Sequence, residues 1–254
     1  MTSTVFPTAL RTGAACMALL GALAFDTAAP AASRASRNCP ECERWNEPVA
    51  PFNIFGNTWY VGTKGLSAVL VTSDFGHVLI DAALPESAPQ IAANIEALGF
   101  KITDVKAILN SHVHGDHAGC IAELQRLSGA QVYARRPAND VLTSGKLTRD
   151  DPQATARMPP LSPVKTVWVV HDEQLLGVGS IRLRAIATPG HTPGGTSWTW
   201  ESCNENKRDQ CLTMVYADSL NPVSAGRFRF SDGGESGAGA QLARSIERIA
   251  ALKC

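Results

Sequence analysis

Residues 112 to 117 read His-Val-His-Gly-Asp-His, which sets four good metal ligands within six positions. Imidazole nitrogen and carboxylate oxygen are donors that zinc takes well, and a catalytic zinc leaves one position open for water. In an extended segment, side chains two apart face the same way. His112 and His114 can therefore converge on one ion. Asp116 and His117 fall beyond the turn and can face a neighbouring ion. A second stretch, Thr188-Pro-Gly-His-Thr-Pro-Gly-Gly195, contributes His191 from a loop whose proline and glycines restrict and bend the backbone just before it. The combined pattern is three histidines for a first zinc, with Asp116 and His117 reaching towards a second.

Such ligands need a scaffold, and the flanking sequence supplies one. Val105 to Leu109 is an apolar run that reads as a buried strand. Ala118 to Leu127 reads as a helix, so the ligands lie where a strand ends and a helix begins, the usual crevice for sites in α/β sheets. Ile181 to Ala185 alternates apolar and basic residues and predicts a half-buried strand leading to His191. Val61 to Asp81 predicts two strands about a turn at Asp74-Phe-Gly76. Glu86 to Leu98 has helical spacing at Ile91, Ile95 and Leu98. Gln131 to Ala134 is a short strand and Pro137 to Leu142 a short helix. Leu147 to Pro163 is polar and proline-bearing, hence a loop. Thr166 to Val170 and Leu212 to Tyr216 read as core strands. Gln241 to Leu252 predicts an amphipathic helix with Leu242, Ile246 and Ile249 on one face.

H-x-H-x-D-H followed by G-H-T-P-G resembles the signature of the metallo-β-lactamase superfamily. Trp45-Asn-Glu-Pro48, Asn57-Thr-Trp-Tyr-Val-Gly62, Gly65-Leu-Ser-Ala68, the run from His191 to Trp200, and Tyr216-Ala-Asp-Ser-Leu220 resemble class B, subclass three, of the zinc β-lactamases. The resemblance covers roughly residues 38 to 254. It implies an αββα sandwich: two mixed sheets face to face, helices outside, metals at one edge. Two Zn2+ ions are implied, and with them hydrolysis of the lactam amide of β-lactam antibiotics, carbapenems included, by hydroxide shared between the metals. Asp116 both binds metal and orients the nucleophile in this reading. Asp81, at the end of the strand Gly76 to Ile80, orients a metal-bound histidine. Ser219 contacts metal-bound water, and Asn221 meets the substrate carboxylate. Both also read as plain loop caps. In thioesterase-like relatives an aspartate at the Asp218 position bridges both metals, which would weaken the lactamase reading. The loop 147–163 falls near the substrate entrance.

The implied second zinc has one further histidine after the final helix. No histidine follows His191 here, and the chain stops at Ala-Leu-Lys-Cys254 where relatives continue. The expectation is a truncated sequence lacking a last strand and helix, with a second zinc held poorly by two protein ligands. Two alternatives follow: another hydrolase of the same fold, a thioesterase or lactonase, or an inactive truncated zinc-binding protein.

Charged residues are 18% and hydrophobic residues 44% of the 254, ordinary for a soluble enzyme with a real core. Lys plus Arg equals Asp plus Glu at 23 each, so neither nucleic acid nor another strongly charged partner is implied. The expected partner is a small β-lactam, and the expected state a monomer.

Residues 1–33 read as a secretory signal peptide. Arg11 is the positive flank, Thr12 to Phe25 the apolar segment, and Ala29-Pro30-Ala31 a cleavage site. The apolar run is too short for a membrane anchor, and Cys16 lies inside it rather than after it. Residues 34–254 then form the domain, working in a periplasm. Six further cysteines remain. Cys203 and Cys211 flank a hydrophilic stretch between strand-like runs and predict a hairpin disulfide. Cys39 and Cys42 predict a structural disulfide, local or long-range. Cys120 stands where the family usually has glycine and is either an inert core thiol or one close to the metals. Cys254 has no evident partner.

Overall fold

Seven short runs build the larger sheet in chain order: β1 (Phe52–Phe55), β2 (Thr58–Tyr60), β3 (Val69–Val71), β4 (His77–Ile80), β5 (Val105–Leu109), β6 (Gln131–Ala134) and β7 (Val167–Val169). Neighbours are antiparallel from β1 to β4 and parallel from β4 to β7. Strands β3, β4 and β5 are covered on both faces, so nearly every residue in them is apolar. Alternate side chains serve opposite layers. Leu70, Leu79 and Ile108 face the helices, whereas Val69, Val71, Val78, Ile80, Ala107 and Leu109 face the second sheet. The computed structural model that shows this describes residues 1–2, 39–204 and 207–254. Apart from its first two residues, the expected signal peptide lies outside the described residues.

The second sheet holds β8 (Leu175–Val178), β9 (Ile181–Ala187), β10 (Thr196–Asn204) and β11 (Lys207–Tyr216), in the order β11-β10-β9-β8 and antiparallel throughout. It packs Ile181, Leu183, Ala185, Trp198 and Trp200 onto the first sheet. The two indole N–H groups tie the sheets together: Trp198 donates to the Asn110 carbonyl at 3.2 Å and Trp200 to Thr58 Oγ1 at 3.1 Å.

Six α-helices complete the described residues: α1 (Cys42–Trp45), α2 (Ala88–Ala97), α3 (Gly115–Ala118), α4 (Ile121–Ser128), α5 (Arg136–Ser144) and α6 (Ala238–Ala250). Ile91 and Ile95 of α2, Ile121 and Leu124 of α4, and Val141 and Leu142 of α5 cover the outer face of the larger sheet. This two-sheet α/β architecture is the one expected, except that only the larger sheet is mixed; the second is antiparallel throughout its described strands.

Several details differ from the sequence reading. The single helix read over 118–127 is two, interrupted at Gly119-Cys120. Residues 61–68 close a turn through Val61 N to Ala68 O and Thr63 N to Leu66 O, and the strand begins only at Val69. Strands β7 and β11, read as core, are edge strands, and Trp168 and Leu212 on them are exposed. Both runs are apolar, and pattern alone does not tell a central strand from an edge. On α6, Leu242 is buried but Ile246 is exposed; Ser245 takes the inner position and donates to the Pro189 carbonyl at 2.7 Å. Cys203–Cys211 and Cys39–Cys42 are disulfide-bonded, the latter locally. Cys120 is a buried thiol against the Ala82 carbonyl, its pKa pushed up by burial. Cys254 is free and exposed.

Candidate metal centre

The strand ends converge. β4 ends at Ile80, and Asp81 follows in the left-handed region at φ 59, a conformation aspartate tolerates better than most residues. β5 ends at Leu109 and runs on to His112 and His114. The segment is pinned by Asn110 Nδ2 to the His112 carbonyl at 2.6 Å and by Thr196 N to the Ser111 carbonyl at 2.8 Å. His114 is the N-cap residue of α3, which carries Asp116 and His117. β9 ends at Ala187, and the loop with His191 is closed by Thr188 N to the Gly195 carbonyl at 2.9 Å. Gly190 has φ +138, and a Cβ there would meet Leu242 Cα of α6 at 2.5 Å. Only glycine allows this loop to lie on that helix.

Two groups of ligand atoms result: His112, His114 and His191, and His112, Asp116 and His117. Within each, the atoms lie within 4.8 Å of one another. The first three side chains are buried, whereas Asp116 and His117 are partly open at 24% and 18%. Every imidazole has an outer acceptor. His112 Nδ1 lies 2.8 Å from Asp218 Oδ1, His114 Nε2 lies 3.0 Å from Asp151 Oδ1, His191 Nδ1 lies 2.9 Å from the Asn221 carbonyl, and His117 Nδ1 lies 2.8 Å from Asp81 Oδ2. An acceptor at one ring nitrogen holds the N–H there and leaves the other nitrogen bare. The bare set is therefore His112 Nε2, His114 Nδ1 and His191 Nε2, and His117 Nε2 joins it once that ring gives up its second proton.

This donor set fits a divalent cation. His114 Nδ1 and His191 Nε2 stand 3.1 Å apart with both N–H groups committed elsewhere, so two lone pairs face each other. Burial and the neighbouring imidazoles push the His112 pKa well down, and burial pushes His191 down, so both rings are neutral as ligands must be. Against its own burial, His117 is raised to about 9, chiefly by Asp81. Among the described residues, the ion pairs of the buried carboxylates Asp81, Asp151 and Asp218 are all with histidines. A buried carboxylate needs compensating charge, and a cation amid these rings supplies it.

Asp218 lies behind His112 rather than between two ligand groups. Its N–H donates to Ser197 Oγ at 2.9 Å, burial pushes its carboxyl well up, and a Cβ on Gly195 would meet its Oδ2 at 2.4 Å. Asp81 accepts from Ser111 N at 2.7 Å, Ser111 Oγ at 2.5 Å and Tyr216 OH at 2.9 Å. Ser219 is half-buried and Asn221 exposed. Asn221 touches the centre through its backbone carbonyl, a contact no side-chain pattern reveals. Asp151, Gln153 and Tyr216 received no role from the sequence. Asp151 and Gln153 sit on a loop without periodicity, and only folding brings them to the histidines.

A two-sheet α/β sandwich carrying a histidine-rich centre at its strand ends defines a class of metal-dependent proteins. The chain belongs to the metallo-beta-lactamase superfamily, whose family model matches residues 61–204. Its fold is similar to Rm3 metallo-beta-lactamase at 56% identity, covering 85% of this chain and 79% of that one, with a TM-score of 0.81. It is also similar to MEM-A1, a subclass B3 metallo-beta-lactamase from a soil metagenome library, at 51% identity, covering 83% and 78%, with a TM-score of 0.78. In sequence it is 30% identical over 165 residues to a hydroxyacylglutathione hydrolase of Rhodopseudomonas palustris, covering 62% of this chain and 52% of that protein. The chain spans about half the length of the curated relatives it matches.

Proposed function

We propose that this chain is a zinc-dependent β-lactamase that opens the lactam amide of β-lactam antibiotics, carbapenems among them, and so confers resistance. His112, His114 and His191 hold the first zinc, and Asp116 and His117 serve the second. When bound, zinc supplies Lewis acidity that polarises a carbonyl oxygen and makes water a nucleophile near neutral pH. The protein's own groups do the positioning. Asp218, Asp151 and the Asn221 carbonyl hold the outer N–H of three rings, and Asp81 that of His117. Asp116, partly open to solvent, orients the attacking water. Ser219 is read as contacting metal-bound water, and Asn221 as meeting the substrate carboxylate. The observation that carries this reading is the convergence of three bare ring nitrogens in a chain 56% identical to Rm3 metallo-beta-lactamase.

A thioesterase is the second reading, favoured by the relatives called hydroxyacylglutathione hydrolase. The place of Asp218 on the outer nitrogen of His112 supports the lactamase instead. Loss of carbapenem, penicillin and cephalosporin absorbance, followed with zinc-loaded protein, separates them. Hydrolysis should require zinc and fall at least 1,000-fold (on the order of 4 kcal/mol) in His112→Ala. No turnover of any β-lactam beside rapid thioester cleavage would sink the lactamase reading.

Residues 1–33 we read as a leader that delivers a monomeric enzyme to the periplasm. The two disulfides fit an oxidising compartment. No helix among the described residues is long and apolar enough to cross a membrane. Sequencing the mature N-terminus of the exported protein tests the cleavage.

A further inference from the structure

Loop 147–163 is polar, yet Asp151 on it is 2% exposed. Its Oδ1 accepts from His114 Nε2 at 3.0 Å and from the Gln153 backbone N–H at 2.7 Å, while its Oδ2 is buried without a partner. A desolvated carboxylate with one oxygen unmet is costly. Something at His114 must repay that cost. Gln153 leans on the same centre: its Nε2 is 3.1 Å from His114 Nδ1 and 3.4 Å from His191 Nε2. An ion among the rings would take those lone pairs, so Gln153 must let go on loading while Asp151 keeps its contact. The loop is also fastened from the far side, where Ala225 N donates to the Pro152 carbonyl at 2.9 Å.

We propose that Asp151 is a positioning residue that couples the order of loop 147–163 to metal occupancy at His114. The inference rests on the metal reading above. Asp151 holds the proton on Nε2 and so keeps Nδ1 bare. A cation on Nδ1 makes Nε2–H a stronger donor, and charge-assisted bonds to carboxylate are the strong ones. Coupling of this kind is reciprocal: whatever the metal does to hold the loop, the loop does to hold the metal. Because the loop flanks the histidines, metal loading then also shapes the wall that a substrate meets.

The test uses the full chain as wild type, Asp151→Ala, Asp151→Asn and Asp150→Ala, the last changing an exposed neighbour. Zinc affinity is read by competition with a chromophoric chelator. Loop order is read by hydrogen exchange of peptides covering 147–163, with and without zinc. Asp151→Ala should weaken zinc binding by about 10–100-fold and lose the zinc-dependent protection of the loop, with β10 protected as in wild type. Asp150→Ala should match wild type in both. Asp151→Asn keeps an acceptor oxygen without the charge. It should fall between, and it stands in for the alanine variant if that one does not fold. Wild-type zinc affinity or retained zinc-dependent loop protection in the folded variant overturns the coupling and leaves the three-histidine site standing. Wild type taking up no zinc overturns the metal reading and the coupling together.

Discussion

His112 shows how one side chain becomes a ligand. Burial and three neighbouring imidazoles push its pKa well down, and Asp218 decides which nitrogen is bare. Such outer partners are typically worth about 10–100-fold in metal affinity. Asp218→Ala should therefore weaken zinc binding by that factor at unchanged stoichiometry, read by calorimetric titration. A drop in the number of zinc ions bound would instead mean that Asp218 bridges metals, as in the thioesterase reading. Tyr216 acts one bond further out, donating to Asp81 Oδ2 at 2.9 Å. Removing the hydroxyl as Tyr216→Phe leaves Asp81 its other donors and should cost about 1–2 kcal/mol of stability in denaturant titration.

At the scale of elements, the site depends on loops held by their neighbours. The His191 loop lies on α6, with Gly190 against Leu242 and Ser245 bonded to the Pro189 carbonyl. A methyl group at Gly190 would meet backbone at a φ that L-residues avoid. Gly190→Ala should destabilise by more than about 1 kcal/mol and weaken zinc binding with it, since the displaced loop carries a ligand. An unchanged melting temperature and zinc affinity would show that α6 does not brace the loop. The β10–β11 hairpin is closed by Cys203–Cys211, a cross-strand pair eight residues apart. On the loop-entropy account this link is worth about 2.5 kcal/mol. The double change Cys203→Ser with Cys211→Ser should lower unfolding free energy by that amount. Zinc binding should persist, because the histidines lie at the other end of the strands.

For the molecule as a whole, the centre exists because two sheets meet. Trp198 is fully buried between them and bonds to the carbonyl of Asn110, two residues before His112. Trp198→Ala should cost about 3–5 kcal/mol, seen as an earlier unfolding midpoint, and should loosen the metal centre at the same time. Stabilisation also runs the other way. Zinc that binds only the folded state at a thousand times its Kd adds about 4 kcal/mol. Chelation should lower the melting temperature of wild type and leave His112→Ala unmoved. Equal shifts in both would place the stabilising ion elsewhere.

The ligand set was legible in the sequence because its geometry is local. The two-residue alternation of a strand end orients His112 and His114, one helical turn carries Asp116 and His117, and a proline-glycine loop stiffens His191. Strands β4, β5, β6 and β9 were legible because burial leaves a continuous or alternating apolar run. The edge status of β7 and β11 was not, since an apolar run has the same pattern whether or not a neighbour pairs with it. Nor were the acceptors that set each imidazole's tautomer. Asp151 lies 37 residues from His114 and Asp218 lies 106 from His112, the Asn221 contact uses the backbone, and no spacing rule joins such pairs. Local sequence determined which atoms could bind a metal. The packing of two sheets and three loops decided which of those atoms are bare, neutral and facing one another.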